Sequence, residues 1–262
     1  MTTTSSPIRR IVVPLDGSPR AAHGLAVACE LAPRLDATIA VLRVVAASDQ
    51  VDAAREALRA EVIEAGGRPE TDVVAVAADD VPGAIVTDDA TVCLATDGHG
   101  HGAHTLLGSV ATGVIRMSRA PVLLAGPRVA AAPPTRVVAC LDGSRFAEQA
   151  LPVAQGLAEQ LDVPLVLVQV VEEAGPGAPL DVPESGYVEH QARALTGEVS
   201  WEVLHGDDAA SAIAAWIGDD PGTVVVLASH GRSGLSQLVL GSVAAGVIRV
   251  ATGPVLVVPA AE

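Results

Sequence analysis

The sequence predicts an α/β protein of two tandem domains, each a mainly parallel sheet with helices on both faces. Three observations carry this. First, Gly98, nine residues, then Gly108-Ser109 recurs 133 residues later as Gly231, nine residues, then Gly241-Ser242, and both copies continue Val-Ala-x-Gly-Val-Ile-Arg. Aligning Gly108 to Leu124 with Gly241 to Val257 gives 11 identities in 17 positions. Second, Leu15-Asp16-Gly17-Ser18 returns as Leu141-Asp142-Gly143-Ser144 at a spacing of 126, so the halves share one fold, with seven further residues between the motifs in the second. Third, short β-branched runs alternate with stretches of helical periodicity, and parallel strands require such crossovers.

The elements follow in order. Ile11 to Leu15 is an apolar run that ends in the turn residues Asp16-Gly17-Ser18, and Ala21 to Leu35 has helical spacing. Thr38 to Val45 is a second strand, Val51 to Glu64 a charged amphipathic helix closed by Gly66-Gly67, and Thr71 to Ala77 a third strand. Val81 to Val86 is an abbreviated helix with Pro82 in its first turn. Thr91 to Thr96 is a fourth strand before the Gly-rich loop, Gly108 to Met117 the last helix and Pro121 to Ala125 the last strand. The second half repeats this with strands near Val137, Leu165, Glu198, Val224 and Val255, and helices beginning near Arg145, Ser185, Asp208 and Ser242. The division is residues 1–129 and 135–262, with Ala130 to Pro134 as linker.

Composition narrows the functions. The 262 residues are 50% hydrophobic, enough for two cores of ordinary size, yet no apolar run reaches the roughly 18 to 20 residues of a membrane span. The first seven residues lack a basic region followed by a hydrophobic one, so they read as a short lead and the protein as cytoplasmic. Cys29, Cys93 and Cys140 sit in apolar patterns without metal spacing and read as inert buried thiols. A net charge of −15 argues against nucleic acid or an anionic membrane as partner. All 16 basic residues are Arg, which excludes a lysine-dependent phosphate loop, a pyridoxal Schiff base or a catalytic ammonium. No acid occurs between Asp97 and Asp142, or between Asp220 and Glu262, so both Gly-rich segments lack negative charge. A phosphate site requires that, although burial alone would also remove acids.

A glycine after a strand lets backbone approach a ligand, and a helix opening at Gly-Ser presents free N–H groups and partial positive charge. Ser109 and Ser242 are expected to cap their helices and to bond a phosphate oxygen. In parallel sheets ligands bind beyond the carboxyl ends of the strands, where strand order reverses; that would set Asp16 beside Gly98 and Asp142 beside Gly231.

With these motifs both halves resemble the universal stress protein family, whose nucleotide-binding members carry Gly-x2-Gly-x9-Gly-(Ser/Thr) after the fourth strand and an Asp at the end of the first. Val-Pro-Leu-Asp-Gly-Ser (13 to 18), Ala-Ser-His-Gly-Arg-Ser-Gly-Leu-Ser (228 to 236) and Gly-Pro-Val-Leu-Val-Val-Pro (253 to 259) extend the likeness. The resemblance implies Rossmann-like, adenine nucleotide alpha hydrolase-like domains with five strands in the order 3-2-1-4-5. It implies ATP as ligand, with Mg2+ or Mn2+ bound through the phosphates. Pro14, Asp16 and Asp142 would border the adenosine part and the backbone near Val44 and Val170 the adenine. Ala95, Gly98, Gly108, Ser109 and Val110 would line one phosphate site, and Ala228, Gly231, Arg232, Gly241, Ser242 and Val243 the other. It also implies that the last strands, at Val122 and Val255, pair across a pseudo-twofold, and that two chains form a homodimer.

There are departures and alternatives. Ala95 and Ala228 replace the first glycine of the family's pattern, Cys140 stands where the first half has Pro14, and Asp97 stands where the second half has His230. A carboxylate beside phosphates costs on the order of 1 kcal/mol unless a divalent ion offsets it. The second site is therefore closer to the family's pattern. Gly98-His-Gly-His-Gly-Ala103 matches the dinucleotide fingerprint superficially, but it follows the fourth strand and lacks the acid about 20 residues on. His99, His101 and His104 with Asp97 read as an exposed polar loop before they read as metal ligands. Asp-Gly-Ser is good turn and capping chemistry with or without a ligand, and Arg116 and Arg249 read as structural. The expected function is an ATP-binding regulatory module of stress or growth-arrest adaptation, at most a weak ATPase. A slow ATPase or nucleotidyl transferase, and a ligand-free dimerising scaffold, are the alternatives.

Overall fold

The computed structural model describes residues 8–67, 71–96, 107–171, 185–229 and 240–259. The first half runs β1 (Arg10–Pro14), α1 (Pro19–Leu31), β2 (Thr38–Val45), a 3-10 turn (Ser48–Gln50), α2 (Val51–Glu64), β3 (Asp72–Ala77), α3 (Val81–Ile85), β4 (Thr91–Ala95), α4 (Ser109–Met117) and β5 (Val122–Ala125). The second runs β6 (Arg136–Leu141), α5 (Arg145–Glu148), α6 (Leu151–Leu161), β7 (Leu165–Val171), α7 (Ser185–Ala194), β8 (Val199–His205), α8 (Ala209–Ile217), β9 (Thr223–Ala228), α9 (Ser242–Val250) and β10 (Val255–Val258).

All strands join one ten-stranded sheet in the order β3-β2-β1-β4-β5-β10-β9-β6-β7-β8. Each half has the order 3-2-1-4-5 and parallel pairing throughout. The halves meet where β5 and β10 run antiparallel, with Leu123 opposite Leu256. These two leucines are equivalent positions of the repeat, so the pseudo-twofold passes through their pair. Register confirms the repeat: Ile11 pairs with Ile39 and Val137 with Leu165. From Ile11 to its partner Thr91 is 80 residues, and from Val137 to its partner Val224 is 87, a difference of seven. Part of it goes to α8, nine residues against five in α3.

Alternation along the strands sends side chains to two cores. Ile11, Val13, Val137 and Leu256 face α1, α2, α6 and α7, while Val12, Val138, Val255 and Val257 face α3, α4, α8 and α9. Both cores run through both halves. Strands buried on both faces are why the chain reads as near-continuous Val, Ile and Leu in these segments.

The elements differ from expectation in places, each with a local cause. α1 starts at Pro19, not Ala21, because Ser18 caps it by accepting from the Ala21 N–H at 3.2 Å and proline suits the first turn. It ends at Leu31 rather than Leu35, before a turn with Asp36 at φ 47°. The helix expected from Arg145 is split into α5 and α6, because Pro152 offers no N–H and crowds the carbonyl of Glu148. Among the described residues no helix is long and apolar enough to cross a membrane.

Candidate functional site

Both Asp-Gly-Ser turns are built alike. The Asp16 carboxylate accepts from the Ser18 N–H and that of Asp142 from the Ser144 N–H, each at 2.9 Å. Gly17 and Gly143 adopt φ 89° and 80°, a left-handed conformation that glycine accepts without strain. Ser144 caps α5 by accepting from the Ala147 N–H at 3.1 Å, as Ser18 caps α1. Burial pushes the Asp16 carboxyl up, but bonds from the Ser18 hydroxyl and N–H and from its own N–H, with the nearby Arg43 charge, hold it below the ordinary Asp value. Sequence thus folds these turns locally, and strand order sets them beside β4 and β9, where it reverses.

At that crevice in the second half lies a cavity of about 560 Å³. It gathers Asp142, Val170, Ala228, Gly241, Ser242 and Val243, each expected there from sequence. Gly231 and Arg232, also expected there, lie outside the described residues, as do Gly98, Asp97, His230 and the three loop histidines His99, His101 and His104. In the first half the described counterparts hold corresponding places. Pro14 ends β1, Asp16 is exposed beyond it, Val44 lies near the end of β2 and Ala95 ends β4. Gly108 precedes α4, whose first residues are Ser109 and Val110.

The helices that open at Gly-Ser lack side-chain caps. Side chains of Ser18, Asp80, Ser144 and Asp208 cap α1, α3, α5 and α8, whereas α4 and α9 have no capping side chain. This corrects the expectation that Ser109 and Ser242 cap these helices. Gly108 and Gly241 occupy the cap position, and each serine is the first helical residue, one step too late for its hydroxyl to reach the first-turn N–H groups. The Gly241 N–H donates to the Ser229 carbonyl at 2.9 Å, which ties the start of α9 to the end of β9. The α9 opening therefore keeps its positive helix end toward the cavity.

Three further features were not singled out from sequence. Gln169 borders the cavity, and its Oε1 is shielded from water and has no hydrogen-bond partner among the described residues. Asp207, in the loop before α8, adds a second carboxylate to the lining. Arg43 occupies the position of Gln169 in the first half; its Nε donates to the Leu15 carbonyl at 3.0 Å and its guanidinium pairs with Glu61. The available signal was one polar residue interrupting β2 and β7 at the same place, just before Val44 and Val170. Cys140 also borders the cavity, and burial pushes its thiol to about 12, so it is an inert wall. Arg116 and Arg249 are exposed in the last turns of α4 and α9, away from the opening, where a positive charge favours the helix end.

The repeated turn, the uncapped Gly-Ser helix and the 3-2-1-4-5 order occur twice in one chain, and the family model for the universal stress protein family matches residues 7–89 and 134–259. The chain belongs to the universal stress protein family. Two universal stress proteins of Mycobacterium tuberculosis are 29% and 31% identical to it over 187 residues, which is 64% and 63% of this chain. Those stretches are 58% and 60% of the relatives' own length, so the chain spans less than two thirds of either. The crystal structure of a universal stress protein from Archaeoglobus fulgidus shares the fold, with a TM-score of 0.66, 20% identity and 97% of both chains covered.

Proposed function

We propose that this universal stress protein binds ATP in its second half and acts as a nucleotide-responsive regulatory module. The observation that carries the reading is the polarity of the cavity. Its lining places hydrogen-bond acceptors, Asp142, Asp207 and the Gln169 Oε1, together with an uncapped helix N-terminus at Gly241-Ser242. Carboxylates suit the hydroxyl and amine donors of a nucleoside, and free N–H groups suit an anion. A nucleotide carries both at opposite ends, and about 560 Å³ is within the range of small-ligand sites. Asp142 and Val170 would hold the nucleoside, and Gly241, Ser242 and Val243 the phosphates. A divalent ion, Mg2+ or Mn2+, would neutralise phosphate charge near the acidic lining.

No turnover is required by this reading, since no lysine is available and no nucleophile with an adjacent base borders the cavity among the described residues. The test is acid extraction of the purified chain followed by anion-exchange chromatography, with calorimetric titration of ATP. Retained or titratable ATP that stays intact over hours is the expected result. Absence of both retention and binding overturns the proposal, and ADP accumulating with time replaces it with an ATPase.

A further inference from the structure

β7 reads Leu-Val-Leu-Val-Gln-Val-Val, and Gln169 is its one polar side chain. Its neighbours across the sheet are Leu141 on β6 and Val203 on β8, neither of which carries a side-chain donor. A buried carboxamide oxygen in such a place loses its water and gains nothing in return, which is unfavourable unless a partner arrives from elsewhere. Gln169 borders the cavity beside Asp142 and Val170, so the cavity is where a partner would come from.

The first half shows what the position looks like when it is satisfied within the chain. Arg43 there donates to the Leu15 carbonyl at 3.0 Å and pairs with Glu61 of α2, with its side chain only 15% exposed. The repeat thus keeps a polar residue at one position of both strands, and leaves at Gln169 an acceptor with no partner among the described residues. An acceptor needs a donor. Phosphate oxygens of a nucleotide polyanion only accept, so they cannot satisfy the Gln169 Oε1, whereas the hydroxyl and amine donors of the nucleoside end can.

We propose that the Gln169 carboxamide reads the nucleoside end of the bound nucleotide, accepting a hydrogen bond from a base amine or a ribose hydroxyl. This rests on the nucleotide reading of the cavity and adds a selectivity residue to it. It also distinguishes the halves, because Arg43, a pure donor held by Glu61 and the Leu15 carbonyl, offers no acceptor at the corresponding place.

Calorimetric titration of the full chain with four probes tests this: ATP, 2′-deoxy-ATP, 3′-deoxy-ATP and purine riboside triphosphate, which lacks the 6-amino group. Wild type is expected to bind one analogue about tenfold more weakly than ATP, and that analogue identifies the donor. Gln169→Met should weaken ATP by about tenfold and bind that analogue no worse than ATP. Gln169→Glu retains an acceptor and should keep the preference at lower overall affinity. Equal binding of all four probes to wild type, or an unchanged preference in Gln169→Met, overturns the assignment of Gln169 and leaves the nucleotide site standing. No ATP binding to wild type overturns both.

Discussion

Asp142 serves the turn through one carboxylate oxygen, which accepts from the Ser144 N–H, and the proposed site through its charge. The two uses separate by substitution. Asp142→Asn keeps an oxygen for the turn and should leave the Tm within about 1 °C while weakening ATP by roughly threefold to tenfold, read by calorimetry. Asp142→Ala should lose ATP affinity and about 1 kcal/mol of stability together. Asp220 offers a pH test away from the site. Burial pushes its carboxyl up, but the Thr223 and Thr135 hydroxyls, the Gly222 N–H and the Arg136 charge outweigh this and hold it below the ordinary Asp value of 3.8. A depressed native value means its contribution is present above pH 3.8 and is lost as pH falls through the native value. With partial exposure screening the charge, Asp220→Asn should cost about 1 kcal/mol at pH 7, and the gap in Tm from wild type should close as the pH falls below 3.8. The Asp-Gly-Ser turns were legible in the sequence because their chemistry spans three residues. Arg43 and Gln169 were visible as interruptions, but their meaning depends on which face of a strand they occupy and what crosses it.

Among the elements, the Gly-rich helices and the crossover α6 are the most informative. Gly-Ser was legible as a helix start; that the glycine takes the cap position and leaves the serine without a capping role was not, because a one-residue shift decides it. Pro152 marked the break between α5 and α6 plainly, and its place in α1 is taken by Ala26, where the helix is continuous. Nothing in the spacing announced Gln160. This α6 side chain donates to the carbonyls of Ile8 at 2.7 Å and Leu35 at 2.6 Å and accepts from the Ile8 N–H at 3.1 Å, so a second-half helix pins the start of the first half. Such contacts between segments more than a hundred residues apart are absent from any local pattern. Gln160→Leu should cost about 1 to 3 kcal/mol by leaving these backbone groups unpaired, checked by denaturant unfolding with an unchanged m-value.

At the scale of the whole molecule, the repeat made the two-half architecture and strand order readable, and the family's pattern supplied the expectation that the last strands pair. The antiparallel β5–β10 junction, with Leu123 against Leu256, realises it. Close packing there includes Gly126, where an added Cβ would overlap the Ile248 carbonyl oxygen of α9. Gly126→Ala should therefore destabilise the chain by about 1 to 3 kcal/mol, a drop of several degrees in Tm. The same pseudosymmetry provides the control for the proposal that an anion binds the opening of α9 in the second half. An aspartate as the first residue of a helix favours the helix through its dipole, yet repels a phosphate. Calorimetric titration of ATP into wild type, Ser242→Asp and Ser109→Asp, all with unchanged or raised Tm, is the most direct measurement. Ser242→Asp should lower ATP affinity at least tenfold while Ser109→Asp leaves the second-half site intact. Wild-type affinity in Ser242→Asp would contradict the proposal.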